Sequence, residues 1–335
     1  MAPNIKDVAQ KAGVSVTTVS RILNNRGSIS DQTRKKVHTA MEELNYFPNQ
    51  LAVNLFRQRT FLVGLIVPDV SHIFYALEIK YIERVLHQNG YRLLLCNAES
   101  DNVRETEYLN MLQCNKVDGI IIASHTLDLA AYNKVNLPIV ALDRYLGPDI
   151  PTVSSDHEQG GRLAAQELID NNCKNVIQIT GFCGVPTPSH KRHTVFADMM
   201  KKNGISCETL ELPYNAFLFK DYIDFADNIF RTRNHIDGIF AADNVACAVE
   251  KVAISHGLNI PEDLKIIGYD GTESSLMAYK TITTVAQPIK QLAQTTVDTL
   301  LEMISGDSVF DRGTHIRLPV RLIRGETTTN TQIPE

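Results

Sequence analysis

The chain reads as two pieces of different character, a small all-α head of helix-turn-helix type and an α/β body of two lobes with parallel sheets flanked by helices. Three observations predict this. Over the first 47 residues, short apolar patterns recur at helical spacing with cap residues between them. From Phe61 onward, strand-like apolar runs alternate with helical segments, a rhythm that builds parallel sheets covered on both faces. Val117-Asp118-Gly119-Ile120 is also echoed by Ile236-Asp237-Gly238-Ile239. The spacing is about 120 residues, the size of one lobe.

In the head, Ile5, Val8, Ala9 and Ala12 mark a first helix, with Asn4 and Asp7 placed as a capping pair. Gly13 breaks it. Ser15 starts a second helix whose inward face is Val19, Ile22 and Leu23. Two such helices joined by a short turn containing Gly make a helix-turn-helix, and Ser30 starts a third helix with Val37, Ala40, Met41 and Leu44 on one side. Pro48 stops the head. Residues 49–57 keep a helical pattern with too few apolar residues for a core and too short a length to stand alone. This segment is either a plain linker or a hinge helix that orders on DNA. The domains are therefore drawn as head 1–47, hinge 48–60 and body 61–335.

In the body, strands are expected at 61–67, 91–96, 119–123, 139–142, 176–180, 205–212, 238–242 and 264–268. Helices are expected at 74–88, 103–115, 157–171, 191–203, 217–232 and 245–256, then 289–304 before a late strand region, 316–323. The final pieces are expected to cross back. The first lobe is then residues 61–160 with 289–318, and the second is 161–288 with 319–330.

The charge is lopsided. The first 60 residues carry nine Lys/Arg against four Asp/Glu, and the remainder 24 against 34. A basic head on an acidic body suits phosphate binding by the head alone. No apolar run approaches the ~20 residues of a membrane span, and the N-terminus lacks a signal-peptide pattern. A cytoplasmic protein is expected, with its six scattered cysteines reduced.

The second helix is the candidate DNA reader. Val16 can touch a thymine methyl, Thr17 can serve either base type, and Arg21 can pair with guanine. Thr18, Ser20, Asn24 and Ser30 are placed as phosphate contacts. In open parallel sheets, ligands bind beyond the carboxyl ends of the strands. Those ends carry Asp69, Ser124, Asp143-Arg144, Phe182, Asp243-Asn244 and Asp270. Carboxylates and an Arg facing one cleft, with Phe74 or Phe182 over an apolar face, suit a small hydroxyl-rich ligand. Each Asp also reads as a helix cap, so the set argues more than any member. No phosphate-binding loop, dinucleotide fingerprint or nucleophile elbow is present, which leaves an enzyme reading without a catalytic constellation. No cofactor is expected. Cys183, His190 and His193 match no common zinc spacing, and the histidines read as surface residues at a helix start.

The motifs resemble the lactose/galactose-repressor (LacI/GalR) family over almost the whole chain. They include IKDVAQKAGVSVTTVSRILN in the head and YFPNQLAVNLF in the hinge. The body adds VGLIVPDVSHIFY, VDGIIIAS, IDGIFAADN, IIGYDGTE, TTVAQP and LPVRLIRGET. The resemblance implies a periplasmic-binding-protein-like body and a dimeric repressor of operator DNA, with an effector between the lobes. It places Val16, Thr17 and Arg21 at base-contacting positions and Leu55 as a minor-groove wedge; Asn49, at the start of the hinge segment, joins the candidate DNA contacts. It places Asp69, Phe74, Arg144, Arg192, Asp243 and Asp270 along the effector cleft, to which the strand ends add Ser124 and Phe182. Val195 stands where the family has Gly, Asp243-Asn244 reads as a reversed Asn-Asp pair, and His72-Ile73 replaces Asn-Pro. The tail from Thr327 has no heptads, so a dimer is expected rather than a tetramer.

The cleft motifs are most similar to sucrose- and fructose-type repressors of Gram-positive bacteria, which implies sucrose or fructose, free or phosphorylated, as effector. A purine co-repressor, a phosphorylated partner protein, a sugar-transport protein and a sugar-metabolising enzyme are the competing readings. Aromatic stacking wanted by a purine, the basic head and the missing catalytic groups weigh against all of these except the partner protein.

Overall fold

The computed structural model describes residues 3–24, 26–47, 59–99, 101–124, 131–184, 186–214, 216–307 and 310–328. The hinge positions Asn49 and Leu55 lie outside the described residues, as does the tail from Thr329. The chain divides into two compact units, one of Met1–Phe61 with Lys116–Asp118 and the other of the remaining residues.

The first unit holds α1 (Ile5–Ala12), α2 (Val16–Leu23) and α3 (Asp31–Glu43). The Asn4 side chain accepts from the Lys6 N–H and the Asp7 carboxylate accepts from the Asn4 N–H, both at 2.8 Å, so the start of α1 is capped reciprocally. Gly13, at φ 68°, ends α1 in the left-handed region that glycine enters without strain. Val8, Ala9, Val19, Ile22, Val37 and Ala40 bury one shared core, to which each helix contributes a pair.

The second unit contains two six-stranded sheets. In chain order, the first lobe has β1 (Leu62–Val67), α4 (Ile73–Gln88), β2 (Arg92–Asn97), α5 (Asn102–Cys114), β3 (Gly119–Ile122), β4 (Ile139–Leu142) and β5 (Thr152–Ser155). The second has α6 (His157–Asp170), β6 (Asn175–Thr180), α7 (His190–Lys202), β7 (Ser206–Glu211), α8 (Phe219–Thr232), β8 (Gly238–Phe240), α9 (Asp243–Ser255), β9 (Lys265–Asp270), α10 (Ser274–Met277) and β10 (Thr283–Ala286). The chain then returns as α11 (Ile289–Ser305), β11 (His315–Leu318) and β12 (Arg321–Ile323). Strand order is β11-β5-β4-β3-β1-β2 in one sheet and β12-β10-β9-β8-β6-β7 in the other. Three passes therefore join the lobes: after β5, after β10, and between β11 and β12. Pairing is parallel except for β12, which runs antiparallel on β10.

The apolar runs explain the central strands. Ile120, Ile121 and Ile122 are fully buried in β3, as are Ile266 and Ile267 in β9. Each such side chain contributes about 1.5–3 kcal/mol of burial. The apolar pattern did not predict β5 and β10, because their hydroxyl-bearing residues are buried by being paired. Ser155 Oγ donates to Gln287 Oε1 at 2.7 Å, and Thr284 Oγ1 donates to Asp243 Oδ1 at 2.6 Å. No helix among the described residues is long and apolar enough to cross a membrane.

Candidate functional site

The head presents α2 with Val16, Thr17 and Arg21 exposed and Val19 and Ile22 buried. Val16 is 40% exposed, an apolar side chain at the helix tip that the three-helix core does not use. Ser15 Oγ accepts from the Thr18 N–H at 3.1 Å and shares a hydrogen bond with the Thr18 hydroxyl at 2.9 Å. Asn24 turns back on its own helix, with Nδ2 donating to the Ser20 carbonyl at 2.8 Å. Ser30 Oγ accepts from the Thr33 N–H at 3.3 Å and caps α3. Thr18, Asn24 and Ser30 thus have structural work within the head, while Thr17 and Arg21 project from it.

Between the lobes lies a cavity of about 220 Å³. Its polar floor is tied together across the lobe junction. Asp143 directly follows β4, and its Oδ1 lies 2.8 Å from His157 Nε2 at the start of α6. The other ring nitrogen of His157 lies 2.8 Å from the Tyr269 hydroxyl on β9. The Arg192 guanidinium sits 4.2 Å from the centre of the Tyr269 ring. Asp270, the last residue of β9, accepts from Gln287 Nε2 at 2.8 Å. Asp143, just after β4, and Asp270, the last residue of β9, have φ of 52° and 116°, conformations that L residues seldom adopt. Such positions recur where side chains must be aimed at a ligand.

Close packing fixes this floor. A Cβ at Gly160 would fall 2.6 Å from the Tyr269 hydroxyl, and one at Gly161 would fall 2.3 Å from the Arg192 carbonyl oxygen. Only two adjacent glycines let α6 approach both α7 and β9 so closely.

Aromatic rings form the walls. Phe74 and Tyr75 stand edge to face at 5.5 Å, Phe182 and Tyr214 at 4.9 Å, and His72 and Phe217 at 6.0 Å. Burial shapes the ionisation here. It pushes Asp270 up to about 6, against the pull of Arg192, and holds Glu78 and Tyr75 well above their ordinary values. Burial, with Arg192 beside them, drives His190 and His193 down. Two carboxyl groups, one guanidinium, one amide and several ring faces suit a ligand rich in hydroxyls. Among the described residues, no group of three His, Cys, Asp or Glu side chains converges as a metal site would require.

The model of the bacterial regulatory proteins of the lacI family matches residues 4–49, and that of a periplasmic binding protein-like domain matches 165–328. The chain is 40% identical to the sucrose operon repressor of Streptococcus mutans over 98% of its own length and 100% of that protein's. The chain belongs to the LacI family. Other LacI-family relatives include the sucrose operon repressor of Pediococcus pentosaceus, 38% identical over 98% of this chain and all of that one. The ribose operon repressor of Bacillus subtilis is 35% identical over 97% and 98%. Among solved structures, the lac repressor dimer bound to operator and an anti-inducer superposes with a TM-score of 0.87 at 25% identity, covering 98% and 99% of the two chains. A LacI-family regulator from Enterococcus faecalis with bound ribose gives 0.71 at 30% identity, covering 81% and 100%. The protein is a sugar-responsive transcriptional repressor and not an enzyme.

Of the eight cleft residues expected from the sequence, Phe74, Phe182, Arg192 and Asp270 line the cavity. The other four do not. Asp69 folds onto the next turn, its Oδ1 accepting from the Ser71 N–H and hydroxyl at 2.7 and 2.6 Å. Arg144 is fully buried inside the first lobe. It donates to the Ser124 carbonyl and lies 5.6 Å over the Tyr132 ring, and Ser124 is buried with it. Asp243 points away from the cavity. Its carboxylate accepts from the Thr272 N–H at 2.7 Å and from the hydroxyls of Thr272 and Thr284 at 3.0 and 2.6 Å. Ala242 takes the cavity-facing place instead, so the apparent reversal of the Asn-Asp pair puts no carboxylate there.

The histidines also need correction. His193 is buried rather than on the surface, with Nδ1 3.1 Å from Gln178 Oε1, and His190 lines the cavity. Sequence reasoning passed over His72, Tyr75, Tyr214, Phe217 and Gln287 as cavity residues. His72 and Tyr75 had a signal in the VGLIVPDVSHIFY motif and Gln287 in TTVAQP, whereas Tyr214 and Phe217 had none.

Proposed function

We propose that this repressor binds a near-palindromic operator as a dimer and is released by a small, uncharged carbohydrate, with sucrose the first candidate. The observation that carries the ligand class is the cavity floor. Arg192 is its one guanidinium among the described residues, and it shares the cavity with two carboxyl-bearing positions, Asp143 and Asp270. A phosphate would meet that negative field, whereas hydroxyls can pair with carboxylate, guanidinium and amide together. The names of the sucrose operon repressors, at 37–40% identity, support sucrose.

In each half-site, α2 would enter the major groove. Val16, Thr17 and Arg21 would meet base edges, and Thr18, Ser20, Asn24, Ser30 and Asn49 the backbone. Leu55 would wedge a central minor-groove step. The dimer face is placed on the second lobe. Leu276, Met277 and Tyr279 are 67%, 75% and 83% exposed, beside a groove of about 530 Å³ lined by Phe219, Cys247 and Ile254. An apolar patch of this kind needs a cover. A second copy of the chain fits, since the lac repressor, a full-length structural neighbour, is a dimer on its operator. We place the protein in the cytoplasm with its DNA.

The test is operator binding by the full chain, on DNA selected from a random pool, titrated with sucrose, fructose, ribose and the sugar phosphates. Release by a free sugar and not by its phosphate supports the reading. Tighter binding with any of them reverses the sign of regulation. Failure to retain DNA at low salt overturns it.

A further inference from the structure

His72 occupies the first position before α4, where Ser, Thr, Asp or Asn ordinarily caps a helix by accepting from its free N–H groups. It does not do this work: its side chain makes no cap hydrogen bond. The ring turns into the cavity instead. There it stands 5.5 Å from Tyr75 in its own lobe and, edge to face, 6.0 Å from Phe217 in the other. Phe217 belongs to the segment between β7 and α8, so this ring pair spans the cleft. Nδ1 of His72 is sealed from solvent and has no hydrogen-bond partner. A buried nitrogen without a partner is unfavourable, and one that lines a ligand cavity can recover the loss by pairing with a bound molecule.

We propose that His72 is a specificity-determining residue of the effector site: its ring closes on Phe217 across the lobes and its Nδ1 pairs with one hydroxyl of the carbohydrate. The proposal rests on the reading of the cleft as a carbohydrate site. Burial holds the imidazole neutral, with its pKa lowered to about 4 against the opposing charge of Asp69. A neutral imidazole offers one donor and one acceptor, which a hydroxyl can match in either tautomer. An ammonium group would find the donor nitrogen useless, and a carboxylate or phosphate the acceptor. The contact with Phe217 makes the pairing depend on closure, so His72 would report ligand chemistry and lobe angle together.

The experiment is calorimetric titration of the full-length protein with sucrose, D-fructose and D-ribose, using wild type, His72→Phe and His72→Asn. His72→Phe keeps a ring against Phe217 and removes both nitrogens. His72→Asn restores a donor and an acceptor. For whichever sugar binds wild type, the expected result is a loss of about tenfold or more in His72→Phe and recovery to within about threefold in His72→Asn. Monodeoxy analogues of that sugar sharpen the test. One analogue should lose about tenfold on wild type and nothing further on His72→Phe, the signature of a coupled pair. Wild-type affinity in His72→Phe overturns the proposal. So does His72→Asn binding as weakly as His72→Phe, which would make the ring's shape the whole effect. If none of the three sugars binds wild type, the carbohydrate reading itself falls, and His72 falls with it.

Discussion

His157 and Tyr269 are joined by a 2.8 Å hydrogen bond between a ring nitrogen and a phenol, and their rings stack at 5.7 Å. With Asp143 on the other nitrogen, this makes a continuous polar link from β4 of one lobe to β9 of the other. Tyr269→Phe should remove one bond and leave the buried His157 nitrogen unpaired. The expected cost is about 1–3 kcal/mol of stability, read as a lower urea midpoint with an unchanged slope.

The paired glycines allow a sharper expectation. A methyl at Gly161 would have to occupy the space of the Arg192 carbonyl oxygen, which is backbone and cannot swing aside. Gly161→Ala should push α6 and α7 apart, costing about 1–3 kcal/mol or more. Effector affinity should fall with it, because Arg192 moves. A variant with wild-type melting temperature and wild-type sugar binding would show that the helices do not meet as described.

Ionisation in the floor gives a pH dependence. Asp270 is raised from 3.8 to about 6, mainly by burial. The folded chain therefore holds this proton where the unfolded chain has released it. That contribution to stability is full below about pH 4 and is lost as the pH rises through about 6. Asp270→Asn keeps an oxygen for the Gln287 amide and removes the titration. The slope of unfolding free energy against pH should flatten between pH 4 and 6, measured by urea denaturation at fixed ionic strength.

In the head, Arg21 and Ser30 should separate recognition from folding. Arg21→Ala should weaken operator binding by about 1–3 kcal/mol and relax base preference at one position, with the melting temperature kept. Ser30→Ala removes the cap of α3 and should cost about 1 kcal/mol of head stability, with a loss of operator binding that is smaller than that of Arg21→Ala and leaves base preference unchanged. Operator titrations beside thermal melts distinguish the two. Equal effects of both variants on both readings would refute the division of labour.

Met277→Asp should place a charge on the exposed apolar face of the second lobe. If that face joins two copies, sedimentation equilibrium should show wild-type dimers and mutant monomers at micromolar concentration, with operator affinity falling sharply. A dimeric mutant would move the interface elsewhere.

The fold was legible wherever burial and apolarity coincide. The isoleucines of β3 and β9 announced themselves, and so did the caps at Asn4, Ser15 and Ser30. Strands β5 and β10 did not, because Thr and Ser look like loop residues until their hydroxyls find partners such as Gln287 and Asp243. The same blindness affected the cleft. A charged residue at a strand end points forward or backward according to one backbone angle, which composition does not reveal. Asp143 and Asp270 turn toward the ligand space through left-handed φ values, while Arg144, the next residue along, turns into the lobe. Aromatic residues on connecting segments, Tyr214 and Phe217 among them, carried no periodicity to betray that they face a cavity.

The three passes between the lobes have a consequence for inheritance. The three helices of the head are contiguous in sequence, so one recombination junction can exchange them and give the gene a new operator. Each lobe is assembled from separated stretches, and no single junction can transplant one intact. Across descendants of such a gene, target site and small-molecule response can be re-paired at that one junction, but the two lobes travel together, so neither half of the cleft is exchanged without the other.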